Sequence, residues 1–154
     1  MLQEVRPLSV PGLLKISSMD ELKRCLRELI AHYERECDRY GAKVGRLMRY
    51  LETDSDGKGV KRLREVDWKR AGMVLVNTTE PGRGTLELMI EAMEDYKAKA
   101  KRTGEVLARI NELENLGIPE GASILVYLRQ GVPLRIVVDM EKAPEVDSLV
   151  QTIY

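Results

Sequence analysis

Few side chains in this chain have the type and spacing that catalysis requires. His32 is the single histidine, so neither an imidazole pair for a metal nor a Cys-His nucleophile pair is spelled out. Cys25 and Cys37 are the two cysteines, twelve positions apart on one predicted helix. At 1.5 Å rise per residue that separates them by about 18 Å, too far for a bond between them. Two thiols also fall short of a four-ligand zinc site. They read as buried thiols, with an intermolecular disulfide or a reactive thiol as the alternative. Glu34, Glu36, Asp38, Glu91, Glu94 and Asp95 sit among basic residues on predicted helix surfaces, as expected of solvated faces with weak i,i+4 pairs.

Two loops come nearer to a ligand site. Gly82-Arg83-Gly84-Thr85, ahead of a predicted helix, could offer backbone N–H groups and a guanidinium to an anion. Its spacing is that of neither a P-loop nor a dinucleotide fingerprint, and an ordinary turn with Thr85 as N-cap is expected. Asp54, Asp56 and Gly57 partly match a calcium loop, but Leu63 stands where that loop needs a glutamate. The expectation is therefore a protein with no catalytic residues, no metal site, no cofactor and no enzymatic activity.

Charge leaves one local signal. The 25 basic and 25 acidic side chains cancel, so no global field draws the chain to nucleic acid or membrane. Lys43, Arg46 and Arg49 lead towards Lys61, Arg62, Arg64, Lys69 and Arg70, a cluster able to neutralise phosphates. No interleaved aromatics stand ready to stack on bases, and solvated helix faces are the favoured account of the pattern. Nucleic-acid binding through this cluster is the alternative reading.

The elements that would position these groups are mostly helical. Ser18-Met19-Asp20-Glu21 is a capping box. After it Leu26, Ile30, Tyr33, Cys37, Tyr40, Val44, Leu47 and Leu51 follow steps of four and three, the spacing of a coiled-coil seam. The run ends in the loop composition of residues 53–59. A second helix is predicted from Thr85 to Leu116, with Gly117 and Pro119 ending it. Its stripe is Leu86, Met89, Met93, Tyr96, Ala100, Thr103, Leu107 and Ile110. Matching stripes predict an antiparallel two-helix coiled-coil hairpin. Each helix then buries one face, so self-association through the seam residues Leu26, Ile30, Tyr33, Tyr40, Val44, Leu47, Met89, Met93, Tyr96, Leu107 and Ile110, or packing on the remaining segments, is expected.

Residues 123–128 and 134–138 read as a β-hairpin about a glycine loop. Its first strand is apolar on both faces, so both should be covered. Met73, Val74, Leu75 and Val76 are the candidate third strand, from the same chain or a neighbour. Val146, Leu149, Val150 and Ile153 share one helical face and predict a short docking helix. The fold class is thus α+β and mostly helical. Residues 1–117 would form the helical hairpin with an N-terminal extension and an inter-helix strand, and 118–154 a β-hairpin with the docking helix, folding as one unit. No basic and apolar leader opens the sequence and no stretch of about 18 apolar residues occurs, so a cytoplasmic protein without membrane contact is expected.

Asp67-Trp68-Lys69-Arg70-Ala71-Gly72-Met73-Val74-Leu75-Val76, followed by a heptad-patterned helix, resembles the beta-type subunits of prefoldin across roughly residues 19–116. The resemblance implies a coiled-coil helix, a small hairpin with an aromatic-Lys pair, and a returning helix. By the same implication the β-hairpins assemble a multi-subunit body, no nucleotide is used, and unfolded polypeptide is held between helix tips. The functional expectation is a non-enzymatic assembly or scaffold subunit acting through coiled-coil and β-edge protein contacts, with a chaperone-like role as one version. Its partner would be another protein or a second copy of the chain.

Overall fold

The computed structural model describes residues 12–54, 67–119 and 121–140. Their elements in chain order are β1 (Gly12–Ile16), α1 (Met19–Asp54), β2 (Lys69–Ala71), β3 (Val74–Val76), α2 (Pro81–Glu114), β4 (Ser123–Arg129) and β5 (Val132–Asp139). The class is α+β, with α1 and α2 packed against each other and an antiparallel C-terminal hairpin. The docking helix expected at 144–154 and the basic residues Lys61, Arg62 and Arg64 lie outside the described residues.

Two compact units form, and both helices contribute to each. The first unit takes the described residues up to His32 and from Lys99 onward. In it α1 begins where the sequence announces it. The Ser18 hydroxyl accepts from the Glu21 N–H at 3.1 Å, and the Glu21 carboxylate accepts from the Ser17 N–H, also at 3.1 Å. These bonds occupy backbone donors that a helix start leaves unpaired. Ser17, through its hydroxyl first and its N–H second, holds the Glu21 carboxyl below the usual range, with Arg24 adding to the effect.

The sheet of this unit has the order β1-β4-β5, antiparallel throughout. Here the sequence expectation is corrected: the third strand is Gly12–Ile16, from the segment read as an extension, and not Met73–Val76. Five residues beside a proline, with one clear inward position, give too short an alternation to recognise. Ile16, Ile124, Val126 and Leu128 are buried together with Leu22, Leu26, Leu29 and Ile110. Leu22 and Leu29 were not among the expected seam positions, and Ile30, which was, is only half-buried. The first turns of α1 help to cover a sheet as well as a helix, so their buried face widens beyond a two-residue-per-heptad stripe. The other face of β4 was expected to be covered too, yet Leu125 and Tyr127 are half-buried.

The β4–β5 turn places Gln130 and Gly131 at φ +53° and +78°, the double left-handed conformation of a type I′ turn, whose twist suits paired strands. α2 ends at Glu114, two residues before the expected stop. Its final turn tightens through i→i+3 bonds from Asn115, Leu116 and Gly117, the last at φ +73°. The Lys23 ammonium pairs with the Glu114 carboxylate, tying the start of α1 to the end of α2.

The second unit, residues 33–98, holds the rest of both helices and the β2–β3 hairpin. Its helix contact is aromatic. Tyr96 lies 6.1 Å from Tyr33 and stacks on Tyr40 at 5.9 Å, between centroids. Arg39 and Lys43 sit over the Tyr40 ring at 5.0 and 5.5 Å, where the ring's negative face favours a cation. Gly41 brings α1 close to Met93, whose sulfur would lie 3.5 Å from an added Cβ. Burial first, then the neighbouring Tyr96 and Asp95, pushes the Tyr33 phenol up to about 12.

Two predictions follow from these interiors. Thr103 is fully buried, and its hydroxyl has no hydrogen-bond partner among the described residues. Thr103→Val replaces that hydroxyl with a methyl of similar size and should raise stability by about 1 kcal/mol in urea titration; a loss would show that the hydroxyl is satisfied in solution. Tyr33 resists ionisation in the folded state more than in the unfolded state. Its contribution to stability is therefore complete below the unfolded phenol value of about 10 and disappears as pH rises towards 12. Burial, with Glu36 and Tyr40 nearby, raises the Tyr96 phenol as well, so absorbance titration at 295 nm should resolve more than one late tyrosine, and Tyr33→Phe should remove the latest of them.

Candidate interaction hairpin

Between the helices β2 and β3 pair antiparallel in the register Lys69↔Val76, Arg70↔Leu75 and Ala71↔Val74. The link is Gly72-Met73. Gly72 has φ +66° and Met73 is not in the left-handed region, which is the pattern of a type II′ turn with glycine at its first central position. A β-branched residue at Gly72 would be strained there.

The base of this hairpin is held firmly. The Trp68 indole N–H donates to the Glu87 carboxylate on α2. The Asn77 amide donates to the Asp67 carbonyl at 3.2 Å, and its oxygen accepts from the Glu80 N–H at 3.0 Å. α2 then starts at Pro81, four residues before the expected N-cap at Thr85, because proline suits the first helical position. The Thr85 hydroxyl instead donates to the Pro81 carbonyl at 2.7 Å. The two glycines flanking Arg83 serve packing: a Cβ on Gly82 would lie 3.1 Å from Leu51 Cδ2, and one on Gly84 3.6 Å from both Trp68 and Asn77. Arg83 pairs with Glu80 at 3.3 Å. The segment considered as an anion cradle is thus a closely packed helix start.

Beyond that base the strands have little support. Met73 is 98% exposed, Val74 62%, Leu75 52% and Val76 40%, and every residue of β2 is exposed as well. A two-stranded ribbon is marginal in water on its own, and this one carries four consecutive exposed apolar residues. Both of its outer edges are unpaired in the described sheet. Such an edge can accept another strand through backbone hydrogen bonds, with alternate side chains supplying selectivity.

The other expected site residues fall into two groups. Of the seam, Leu26, Tyr33, Val44 and Ile110 are buried, while Ile30, Tyr40, Leu47, Met89, Met93, Tyr96 and Leu107 are half-buried. The aromatic and Gly41–Met93 approaches place part of the seam inside one chain. Of the basic cluster, Arg46, Arg49, Lys69 and Arg70 are exposed, and Lys43 is half-buried over Tyr40. Sequence reasoning missed Glu87 and Asn77 as anchors. Their polar types carry no such signal until the hairpin brings Trp68 and Asp67 back to the helix start.

Cys25 and Cys37 are half-buried, with no disulfide among the described residues. No group of three or more His, Cys, Asp or Glu among those residues is placed to hold a metal ion. No described helix is long and apolar enough to cross a membrane. No family model matches the chain, no curated protein matches it, and no solved structure matches it.

Proposed function

We propose that this protein is a non-enzymatic assembly subunit that joins other protein chains, first of all further copies of itself, by strand addition at the β2–β3 hairpin. The observation that carries this reading is the run of exposed apolar residues Met73–Val76 on a two-stranded sheet with open edges. Apolar exposure of this kind on a strand edge is normally suppressed by charge, proline or cover, because it invites association. Here Trp68, Asn77 and the glycine-rich start of α2 fix the ribbon in place. A fixed ribbon loses little freedom on joining a larger sheet, and that favours assembly. The resemblance to prefoldin beta-type subunits fits the same role, with a chaperone-like holding of non-native polypeptide as one version of it.

Light scattering tests the reading directly. The wild-type chain at tens of micromolar should run as a defined multiple of 17.5 kDa. Val74→Lys together with Leu75→Lys should shift it to monomer, since strand addition would then bring charges into a dry interface. The helical circular-dichroism signal should persist, because neither residue is in a core. A wild-type monomer sinks the proposal. So does a nanomolar, salt-sensitive complex with DNA or RNA lost on reversing Arg46, Arg49, Lys69 and Arg70 to Glu, which would establish the phosphate-binding alternative.

A further inference from the structure

In the first unit's sheet, of order β1-β4-β5, the strand β5 is paired on one side only among the described residues. Such an edge can accept a further strand, and charge, proline or a bulge normally blunts it. Here those devices sit at the entry to β5: Pro133 pairs with Leu128, and Leu134 is an extra residue before Arg135 pairs with Tyr127. From Leu134 to Met140 no proline follows, and the strand has one cation and one anion. Leu134 is 57% exposed, Val137 60% and Met140 45%. On the central strand Ile124 and Val126 are buried, whereas Val138 and Ile136 beside them on the edge are half-buried. The apolar layer is incomplete along this edge.

The order of residues along the edge suits a second copy of the same strand. Two copies related by a two-fold axis meet antiparallel, with residue i of one facing residue j of the other and j facing i. Facing residues project from the same side of the sheet, and side chains alternate along a strand, so the axis must pass through a residue. An axis through Val137 sets Leu134 against Met140, Arg135 against Asp139 and Ile136 against Val138, each twice, with Val137 against itself. Every apolar residue then meets an apolar one and every charge its opposite, the cross-strand pairing that stabilises a sheet. Neighbouring registers lose this match. An axis through Arg135 opposes two cations, one through Ile136 sets Arg135 against Val137, and one through Val138 sets Asp139 against Val137. The β1 edge offers no such register, since Lys15 faces Leu13 about Leu14 and itself about Lys15. We propose that β5 joins β5 of a second copy about a two-fold axis at Val137, making one six-stranded sheet whose register Arg135 and Asp139 fix. Ile136 and Val138 of the two copies then continue the apolar layer across the join. Seven residues a side bury well under the roughly 1,200 Å2 of a stable interface, so the contact is weak, with a Kd on the order of 1 mM. Copies already joined by their hairpins supply an effective concentration of about that size. The proposal goes beyond the hairpin reading and does not rest on it, because the hairpin residues belong to the other unit.

Sedimentation equilibrium of the full chain with Val74→Lys and Leu75→Lys, which removes the hairpin contact, provides the test. This chain should be monomeric at tens of micromolar, and near 1 mM about half of it should be dimeric. Arg135→Glu and Asp139→Arg should each weaken that dimer about tenfold or more, since each brings like charges face to face twice. The two together should restore it. Within the chain these positions pair with Tyr127 and Ser123, which are uncharged at neutral pH, so the swaps leave the sheet's own pairing intact. With Cys25 and Cys37 changed to Ser, Val137→Cys should link to itself on mild oxidation, and Leu13→Cys on β1 should not. A chain still monomeric near 1 mM would overturn the proposal. So would a dimer that ignores Arg135→Glu, one that the double swap fails to restore, or one that links through Leu13. None of these outcomes bears on the hairpin reading, because the hairpin contact is removed from every variant.

Discussion

A helix paired with one other helix can bury only one of its sides, and that geometric limit governs everything else in this protein. α1 and α2 satisfy each other along a single stripe, through the Tyr33–Tyr96–Tyr40 stack, the Gly41–Met93 approach and the Leu51–Gly82 approach. What remains apolar on either helix has to be covered by something that is not a helix of the pair. In the first unit a three-stranded sheet takes that part, and the buried face of α1 broadens there to include Leu22 and Leu29. Among the described residues of the second unit the hairpin is fastened at its base, by Trp68 and Asn77, and its strands are exposed. The two β elements thus differ in kind. One is part of a core, and the other is an exposed two-stranded ribbon.

How much of this was legible in the sequence depended on the length of the signal. The capping box at Ser18 and Glu21 and the heptad stripes of both helices could be read directly, because a pattern repeated over thirty residues overrides local exceptions. The β4–β5 hairpin was equally plain from its glycine-containing loop between apolar runs. β1 was not, since five residues give a period-two pattern too few chances to show. The partner of Met73–Val76 was misassigned for a physical reason. Apolar strand-forming residues are expected to seek cover, and here Val74–Val76 pair with Lys69–Ala71, Met73 lies in the turn, and all four stay exposed. The same four residues were singled out as candidates for strand pairing, and within the chain Val74–Val76 take Lys69–Ala71 as their partner.

Glycines carried more information than their helix propensities suggest. In a helix interior glycine costs about 1 kcal/mol relative to alanine, so Gly41 and Gly45 each mark either a close contact or a soft point in α1. Gly41 faces Met93 closely, while Gly45 has only the tip of Arg49 within 4.0 Å of an added Cβ. Gly82 and Gly84, read as turn residues, lie inside α2 and let Leu51 and Trp68 approach its first turn. Composition alone cannot separate a glycine that breaks a helix from one that admits a neighbour.

The pairing of β1 with β4 joins Gly12 to Leu128 and Ile16 to Ile124, residues more than a hundred positions apart. During synthesis at about 5–20 residues per second, β1 would leave the ribosome some 5 to 20 seconds before its partner exists. In the folded chain the helix pair sets the start of α1 beside the end of α2, where Lys23 meets Glu114. Helices paired before β4 is made would close that long loop in advance and leave the sheet only a short local search. On that order of events the helices would act as the clasp that makes a pairing between such distant strands kinetically accessible.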